Sequence, residues 1–209
     1  MRLQLRTFIV AIGVLAAFTR VLAQGSFIAP NSKQSFPKEV SFSSDGKSYT
    51  LKATGASTLQ QTQGEKSRNF FTLAHYMQNP PSGDTLGLFE AIMKSNSAKQ
   101  ITLNINMEMP AGRFGTRLGR YLQRAVSGTE MQKIQKSYDE MVGYFSGEVK
   151  ENDRFTFRWL PDGKTILSVS GKPDKVIAEP VFGRMFWKAW FGDLSPLARK
   201  ELVSFLAAR

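Results

Sequence analysis

The arginines between positions 113 and 124 form the clearest arrangement with a capacity for binding chemistry. Arg113, Arg117, Arg120 and Arg124 follow one another at steps of four, three and four residues, which places all four guanidinium groups on one face of a helix. This face predicts an anion-binding ridge for lipid headgroups, an acidic polymer or a carboxylate ligand. The alternative is an ordinary solvated face on a basic protein.

Few other side chains offer chemistry. The 209 residues include no cysteine and a single histidine, His75, which excludes thiolate nucleophiles, thiolate metal sites and sites with two imidazoles. His75 lies in an apolar segment, 70–77, and we interpret it as a structural residue. The sequence has no phosphate-binding glycine loop and no nucleophile elbow. We therefore predict neither a metal site nor a cofactor.

Two further clusters have both a functional and a structural interpretation. A group of carboxylates is interpreted as solvated, with a catalytic pair as the alternative; its members are Asp139, Glu140, Glu148, Glu151 and Asp153. An aromatic group near the C-terminus is interpreted as core, with the lining of a ligand cavity as the alternative; its members are Phe182, Phe186, Trp187, Trp190 and Phe191.

The net charge of +11 at first favours a nucleic-acid or anionic-membrane partner. However, Arg2 and Arg6 precede an apolar run, 8–18, and after polar Thr19 and Arg20 the segment 21–23 has small residues at the positions that a signal peptidase reads. This order is typical of a secretory signal peptide, which we predict at residues 1–23 with cleavage after Ala23; an uncleaved anchor is the alternative. Cleavage removes three arginines and no acid, which lowers the charge from +11 to +8. We expect a periplasmic or secreted protein, and no nucleic-acid partner.

We predict a short linker over 24–38 and a single domain over 39–209. The strands and helices that must position these residues lie in that domain. Alternating apolar residues predict strands on both sides of the turn at Asp45 and Gly46, and again at 70–77. Residues 101–109 alternate so regularly that we predict a strand with one buried face. The polar segment 55–64 is rich in turn formers and predicts a connection.

Helix signals fall between and after the strands. Asp84 is the predicted N-cap of a short helix, and Ser127 with Glu130 forms a capping box after the arginine helix. An aromatic helix is predicted over 181–191, and a last helix starts at Ser195, with Pro196 in its first position. The strands cluster without regular helical alternation, which predicts an α+β fold with a large antiparallel sheet and helices packed on one face.

Four segments together resemble bacterial chalcone isomerase-like domains. They are residues 47–57 (KSYTLKATGAS), 71–77 (FTLAHYM), 153–165 (DRFTFRWLPDGKT) and 186–196 (FWKAWFGDLSP). The resemblance implies an open-faced β-sandwich in which a ligand cleft lies between the sheet and the helices.

The resemblance also implies which residues would act. True chalcone isomerases use an arginine, a threonine, a tyrosine and an asparagine; this sequence has Leu59 at the arginine and Phe71 at the threonine. Thr116 and Gln123 stand at the tyrosine and the asparagine, and a small shift would bring in Thr72 and Tyr121 instead. Leucine cannot hold an anion, so the catalytic apparatus looks absent.

Three functional hypotheses follow. The preferred one is an exported, non-catalytic protein that binds a small hydrophobic or fatty-acid-like ligand, as plant relatives within the resembling family do. The expected ligand-binding residues are Leu59, Arg68, Phe71, Thr72, Arg113 and Tyr121.

The second hypothesis is an isomerase acting on a flavonoid-like or other enone through displaced residues, namely Arg68, Thr72 and Tyr121. The third is a module whose arginine ridge docks on an anionic membrane or an acidic partner. The oligomeric state is left open.

Overall fold

The computed structural model describes residues 25–63 and 66–207. The predicted signal peptide, 1–23, and its cleavage position lie outside the described residues. No helix within the described ranges is both long and apolar enough to cross a membrane.

A seven-stranded sheet forms the centre of the molecule, and every neighbouring pair in it is antiparallel. Its strands in chain order are β3 (Glu39–Ser44), β4 (Lys47–Gln63), β5 (Lys66–Met77), β6 (Lys99–Ile105), β9 (Arg154–Trp159), β10 (Thr165–Val169) and β11 (Lys175–Ile177). Two small pairs flank it: β1 (Ser26–Ile28) with β2 (Ser35–Pro37), and β7 (Met109–Pro110) with β8 (Glu148–Val149). Across the large sheet the order is β11-β10-β9-β6-β5-β4-β3.

Among the described residues, five helices complete the fold: α1 (Thr85–Lys94), α2 (Ala111–Ala125), α3 (Gly128–Tyr144), α4 (Pro180–Phe191) and α5 (Arg199–Leu202). Asp84 caps α1, and the capping box of Ser127 and Glu130 opens α3, both as predicted. The last helix is shorter than predicted and starts later. The Ser195 side chain accepts from the amide of Leu197 instead of capping a helix, and α5 begins only at Arg199.

The main core lies between one face of the sheet and the helices. Phe71, Leu73 and Met77 of β5 pack there with Phe186 and Trp190 of α4. The aromatic cluster at the C-terminus is therefore core, as preferred from the sequence. An α+β architecture with one large antiparallel sheet and a helical layer on one side confirms the predicted fold class.

The opposite face of the sheet is also covered, in part by the segment predicted as a linker. The hairpin of β1 and β2 buries the Phe36 ring completely in a second apolar cluster. Gln34 bonds to the side chains of Asn104 and Asn106. This cover explains a wrong prediction for residues 101–109. All seven residues of β6 are buried, not alternate ones, and the strand ends at Ile105.

The longest hairpin of the sheet also differs from the sequence prediction. Residues 55–64 were expected to form a turn-rich connection, but β4 continues to Gln63 and pairs with β5 as far as Lys66. Register shifts between Ala53 and Gly55 and between Leu59 and Gln60 interrupt this pairing. The extension brings Gln61 and Arg68 beside the N-terminal half of α2.

Candidate functional site

Helix α2 presents the predicted arginine ridge. Phe114, Leu118 and Leu122 bury one side of the helix against the core. On the other side Arg113, Arg120 and Arg124 are exposed, and Arg117 is half-buried. None of these four arginines forms an ion pair with a residue in the described part of the chain. The ridge is therefore a set of cations without internal counter-charges.

A cavity of about 460 Å³, here called the Arg113 cavity, lies where the N-terminal half of α2 meets the end of the β4–β5 hairpin and the chain after β6. Its lining consists of Gln61, Arg68, Phe70, Met107, Glu108, Met109, Pro110, Arg113 and Arg117. Phe70, Met107 and Met109 supply apolar surface, and three guanidinium groups face one carboxylate. This composition suits an apolar ligand with an anionic group, because an arginine fork can hold a carboxylate through two parallel bonds.

A second cavity of about 300 Å³, here called the Tyr121 cavity, continues along α2. Its lining consists of Leu59, Gln60, Gln61, Arg117, Arg120, Tyr121 and Arg124. Gln61 and Arg117 belong to both cavities. Arg117 Nη2 donates to Gln61 Oε1 at 3.1 Å, and its guanidinium carbon lies 4.0 Å from the centroid of the Phe70 ring. This pair lies where the two cavities meet.

Tyr121 is anchored from the core side. Its ring lies 6.5 Å from the Phe71 ring and 6.0 Å from the Trp190 ring, centroid to centroid, in edge-on arrangements. Burial raises the pKa of the Tyr121 phenol, against the opposing charges of Arg117 and Arg124. The phenol is therefore protonated near neutral pH and can donate a hydrogen bond.

The structure brings together only some of the residues predicted for the site. Arg68 and Arg113 line the Arg113 cavity, and Leu59 and Tyr121 line the Tyr121 cavity. Phe71 is fully buried and belongs to the main core rather than to either lining. Thr72 lies on the other face of the sheet, because adjacent residues of a strand point to opposite faces.

The surroundings of Thr72 confirm that separation. Its hydroxyl donates to Ser32 Oγ at 3.0 Å and accepts from Asn106 Nδ2 at 3.0 Å. Thr58 Oγ1 lies 3.2 Å away on the neighbouring strand. These partners belong to the polar layer beneath the N-terminal hairpin. The residues Arg68, Thr72 and Tyr121, which the isomerase hypothesis needs in one site, are therefore not brought together.

His75 is fully buried and occupied on both ring nitrogens. Trp187 Nε1 donates to His75 Nε2 at 3.0 Å, so the ring proton resides on Nδ1, which lies 2.7 Å from Thr54 Oγ1. Thr54 in turn donates to the Leu202 carbonyl at 2.7 Å. Burial, and secondarily the charge of Lys99, holds the pKa of His75 well below its usual value. This neutral, satisfied imidazole ties β4, β5, α4 and α5 together, which is a structural role.

Some of the charged side chains elsewhere form ion pairs. A groove of about 640 Å³ between α1 and α4 has apolar walls, including Phe89 and Met185. Its cations Lys188 and Arg199 are paired, with Glu130 at 3.0 Å and with Asp193 at 2.9 Å, whereas Arg184 forms no ion pair with a described residue. Within the described ranges, no three side chains of the metal-binding types are grouped so that they could hold an ion. The α2 cavities are distinguished as the candidate site because all four arginines of the ridge line them.

Comparison with known families agrees with the segments quoted from the sequence. A family model described as chalcone isomerase-like matches residues 40–200. The chain belongs to the chalcone isomerase-like family. No curated protein matches the chain. Among solved structures, the crystal structure of an Arabidopsis thaliana fatty-acid binding protein is similar, with a TM-score of 0.65 and 12% sequence identity; the match covers 87% of this chain and 97% of that one. At this identity the likeness concerns the fold.

Several lining residues of this chalcone isomerase-like chain were not predicted from its sequence. Gln61 belongs to the segment predicted as a connection. Phe70 and Met107 belong to the strands 70–77 and 101–109, which are expected to line the cleft, but neither is singled out as a site residue. Glu108 was assigned no role in a site. The signal in the sequence was the arginine ridge itself, because any residue that packs beside this helix lies close to its guanidinium groups. The ridge could not identify Gln61 and Phe70, since they lie roughly forty to fifty residues away along the chain in a hairpin whose length was misjudged, whereas Met107 and Glu108 lie just before the helix.

Proposed function

We propose that this chalcone isomerase-like protein binds a small amphipathic anion, of the fatty-acid type, in the Arg113 cavity. The observation that carries the proposal is the combination, around one space of about 460 Å³, of apolar side chains and three guanidinium groups that form no ion pair with a described residue. Cavities of roughly 300 to 1,000 Å³ with apolar walls and a few polar groups are typical of small-molecule sites. The similar Arabidopsis structure is that of a fatty-acid binding protein, which supports the same class of ligand.

The chemistry of the site favours binding over isomerisation. Arg68 and Arg113 offer charge-assisted hydrogen bonds to a carboxylate head, and Phe70, Met107 and Met109 offer surface for the apolar body. In contrast, Leu59 occupies the position at which the family's catalytic arginine is expected, and Thr72 lies on the opposite face of the sheet. A ligand in this cavity can therefore bind the arginines through its carboxylate, but the residues that the isomerase hypothesis requires are not together there.

The test is direct titration of the delipidated protein with dodecanoic acid by calorimetry, supported by displacement of a fluorescent fatty acid. We expect saturable uptake of one molecule per chain. Replacing both anchors, Arg68→Gln with Arg113→Gln, should weaken the affinity about tenfold or more, since hydrogen bonds to charged groups are among the stronger ones.

The matched control carries the same loss of charge away from the cavities. Lys133→Gln with Lys136→Gln alters two exposed cations of α3, and its affinity should equal that of the unmodified protein. If well-folded protein shows no saturable uptake, the proposed function is wrong. If the arginine and lysine double variants weaken binding equally, the ligand responds to net charge and the Arg113 cavity is not its site.

A second candidate function is docking of the arginine ridge on an anionic membrane surface. The observation that favours it is the absence of ion pairs at Arg113, Arg117, Arg120 and Arg124 within the described part of the chain. Basic residues near an anionic bilayer each contribute about 1 kcal/mol of attraction. Its test is salt-dependent binding to anionic vesicles.

The place of action is proposed from the sequence alone. The order of charged, apolar and small residues over 1–23 supports export with cleavage after Ala23. We therefore propose that the protein meets its ligand in the periplasm or outside the cell.

A further inference from the structure

The two cavities along α2 each hold a pair of arginines. Apart from the shared Arg117, the Arg113 cavity holds Arg68 and Arg113, and the Tyr121 cavity holds Arg120 and Arg124. None of these four side chains forms an ion pair with another described residue. Each cavity thus offers two guanidinium groups to an anion, at opposite ends of a shared stretch of helix.

The surface between the two ends holds the Arg117 guanidinium beside apolar side chains. Phe70 lies on the Arg113 side and Leu59 and the Tyr121 ring lie on the other, so apolar surface continues through both cavities. The contact that crosses this surface is the hydrogen bond between Arg117 and Gln61. Both of its groups are accessible and its acceptor is a neutral amide, so water or a ligand replaces it at little net cost. The Arg117 side chain is long enough to move aside while it stays on the helix.

The helix sets the distance that a ligand must span. Arg113 is seven residues before Arg120 and eleven before Arg124, which corresponds to roughly 10 to 16 Å along the helix axis. A fatty acid with one carboxylate leaves one end of this arrangement without an anion. A second carboxylate at the far end of an extended chain would reach the other pair of arginines.

We propose that the Arg113 and Tyr121 cavities act as one groove for an elongated ligand with an anionic group at each end, such as a long α,ω-dicarboxylic acid. One carboxylate binds Arg68 and Arg113, the apolar middle lies across Phe70 and Leu59, and the second carboxylate binds Arg120 and Arg124. This proposal rests on the proposed function, because it extends the same site and names its class of ligand.

The test compares dodecanedioic acid with dodecanoic acid by calorimetry on the same delipidated protein. Two equivalent heads alone give the diacid a twofold advantage, so we expect a clearly larger one, about tenfold, from the second pair of arginines. Butanedioic acid, too short to reach both ends, should gain nothing over butanoic acid beyond that twofold factor. In the variant Arg120→Gln with Arg124→Gln the ratio of the two long-chain affinities should fall to about two.

The control Lys133→Gln with Lys136→Gln should keep the tenfold ratio. Equal binding of both long acids overturns the two-ended groove but leaves the proposed function standing, whereas binding of neither acid overturns both. A preference for the diacid that survives in the Arg120 and Arg124 variant also overturns the proposal, because the second carboxylate then binds elsewhere. The same holds if the lysine control abolishes the preference.

Discussion

Lys99 is a buried cation at the start of β6, on the side of the sheet covered by the helices. Its Nζ atom donates to the Ile92 carbonyl near the C-terminal end of α1 and lies 3.8 Å from the centroid of the Trp159 ring. Both contacts favour the charged form, because a helix C-terminus and an aromatic face attract a cation. Burial nevertheless dominates, and with the charge of Arg184 it lowers the pKa of Lys99 to about 7.

This lowered pKa predicts how stability depends on pH. Between about pH 7 and the usual lysine value of 10.5, the unfolded chain binds a proton that the folded chain has released. The free energy of unfolding therefore rises with pH in this window, by roughly 3 kcal/mol from about pH 7 to 9.5. Lys99→Met should remove most of that rise, as measured by urea denaturation at several pH values.

The change of stability at acid pH provides the internal control for this prediction. The lowered pKa of His75 makes stability fall as pH drops below the usual histidine value of 6.5. Lys99→Met should keep that acid-side loss, because His75 is still buried. A variant that retains the full rise above pH 7 would show that Lys99 is not its source.

The β4–β5 hairpin shows at the level of elements why part of the fold could not be predicted. The strands on both sides of the turn at Asp45 and Gly46 show clear alternation of buried and exposed residues and were predicted correctly. The outer half of β4 carries mostly serine, threonine and glutamine, so its two faces look alike and resemble a turn-rich loop. The prediction for β6 was wrong for a different reason. Its alternation of apolar and polar residues is real, but the polar ones are buried beneath a hairpin that the sequence presents as a linker.

Gly55 marks the point where the end of the chain docks on β4. A β-carbon placed there would lie 2.1 Å from the Glu201 carbonyl oxygen, closer than atoms can approach. Thr54 beside it donates to the Leu202 carbonyl at 2.7 Å and accepts from the Phe205 amide through its own carbonyl at 3.0 Å. The glycine therefore allows the segment after α5 to close over the sheet.

Gly55→Ala should consequently destabilise the protein by about 2 kcal/mol or more, since backbone must move to make room. The matched control is Gly143→Ala, at a helical glycine with open space around its β-carbon position. That change should stabilise the protein by up to about 1 kcal/mol. Thermal and urea unfolding measure both; equal effects of the two substitutions would contradict the close packing at Gly55.

Charge distribution is the property of the whole molecule that bears most directly on function. The ridge of α2 could be predicted because it depends on spacing within one helix. The cavities could not, because they form only where the β4–β5 hairpin and the chain after β6 lie beside that helix. Elsewhere, opposite charges meet: Glu130 with Lys188, and Glu140 with Lys175 at 2.9 Å. The ridge thus gathers four cations in one row at the candidate site, although other cations, such as Lys133 and Lys136, are also exposed.

This row of cations predicts that the α2 side of the molecule binds anionic membranes. The full chain should sediment with vesicles of mixed phosphatidylcholine and phosphatidylglycerol but not of phosphatidylcholine alone, and binding should fall steeply with salt because exposed charges are screened. Arg120→Glu with Arg124→Glu should weaken partitioning by at least about tenfold, at about 1 kcal/mol for each charge near the surface.

The control, Lys133→Glu with Lys136→Glu, makes the same change in net charge on α3 and should weaken partitioning far less. If both double variants lose binding equally, attraction depends on net charge alone and the ridge has no docking role; if only the α2 variant loses it, the mouth of the groove faces the bilayer, where an amphipathic ligand would enter.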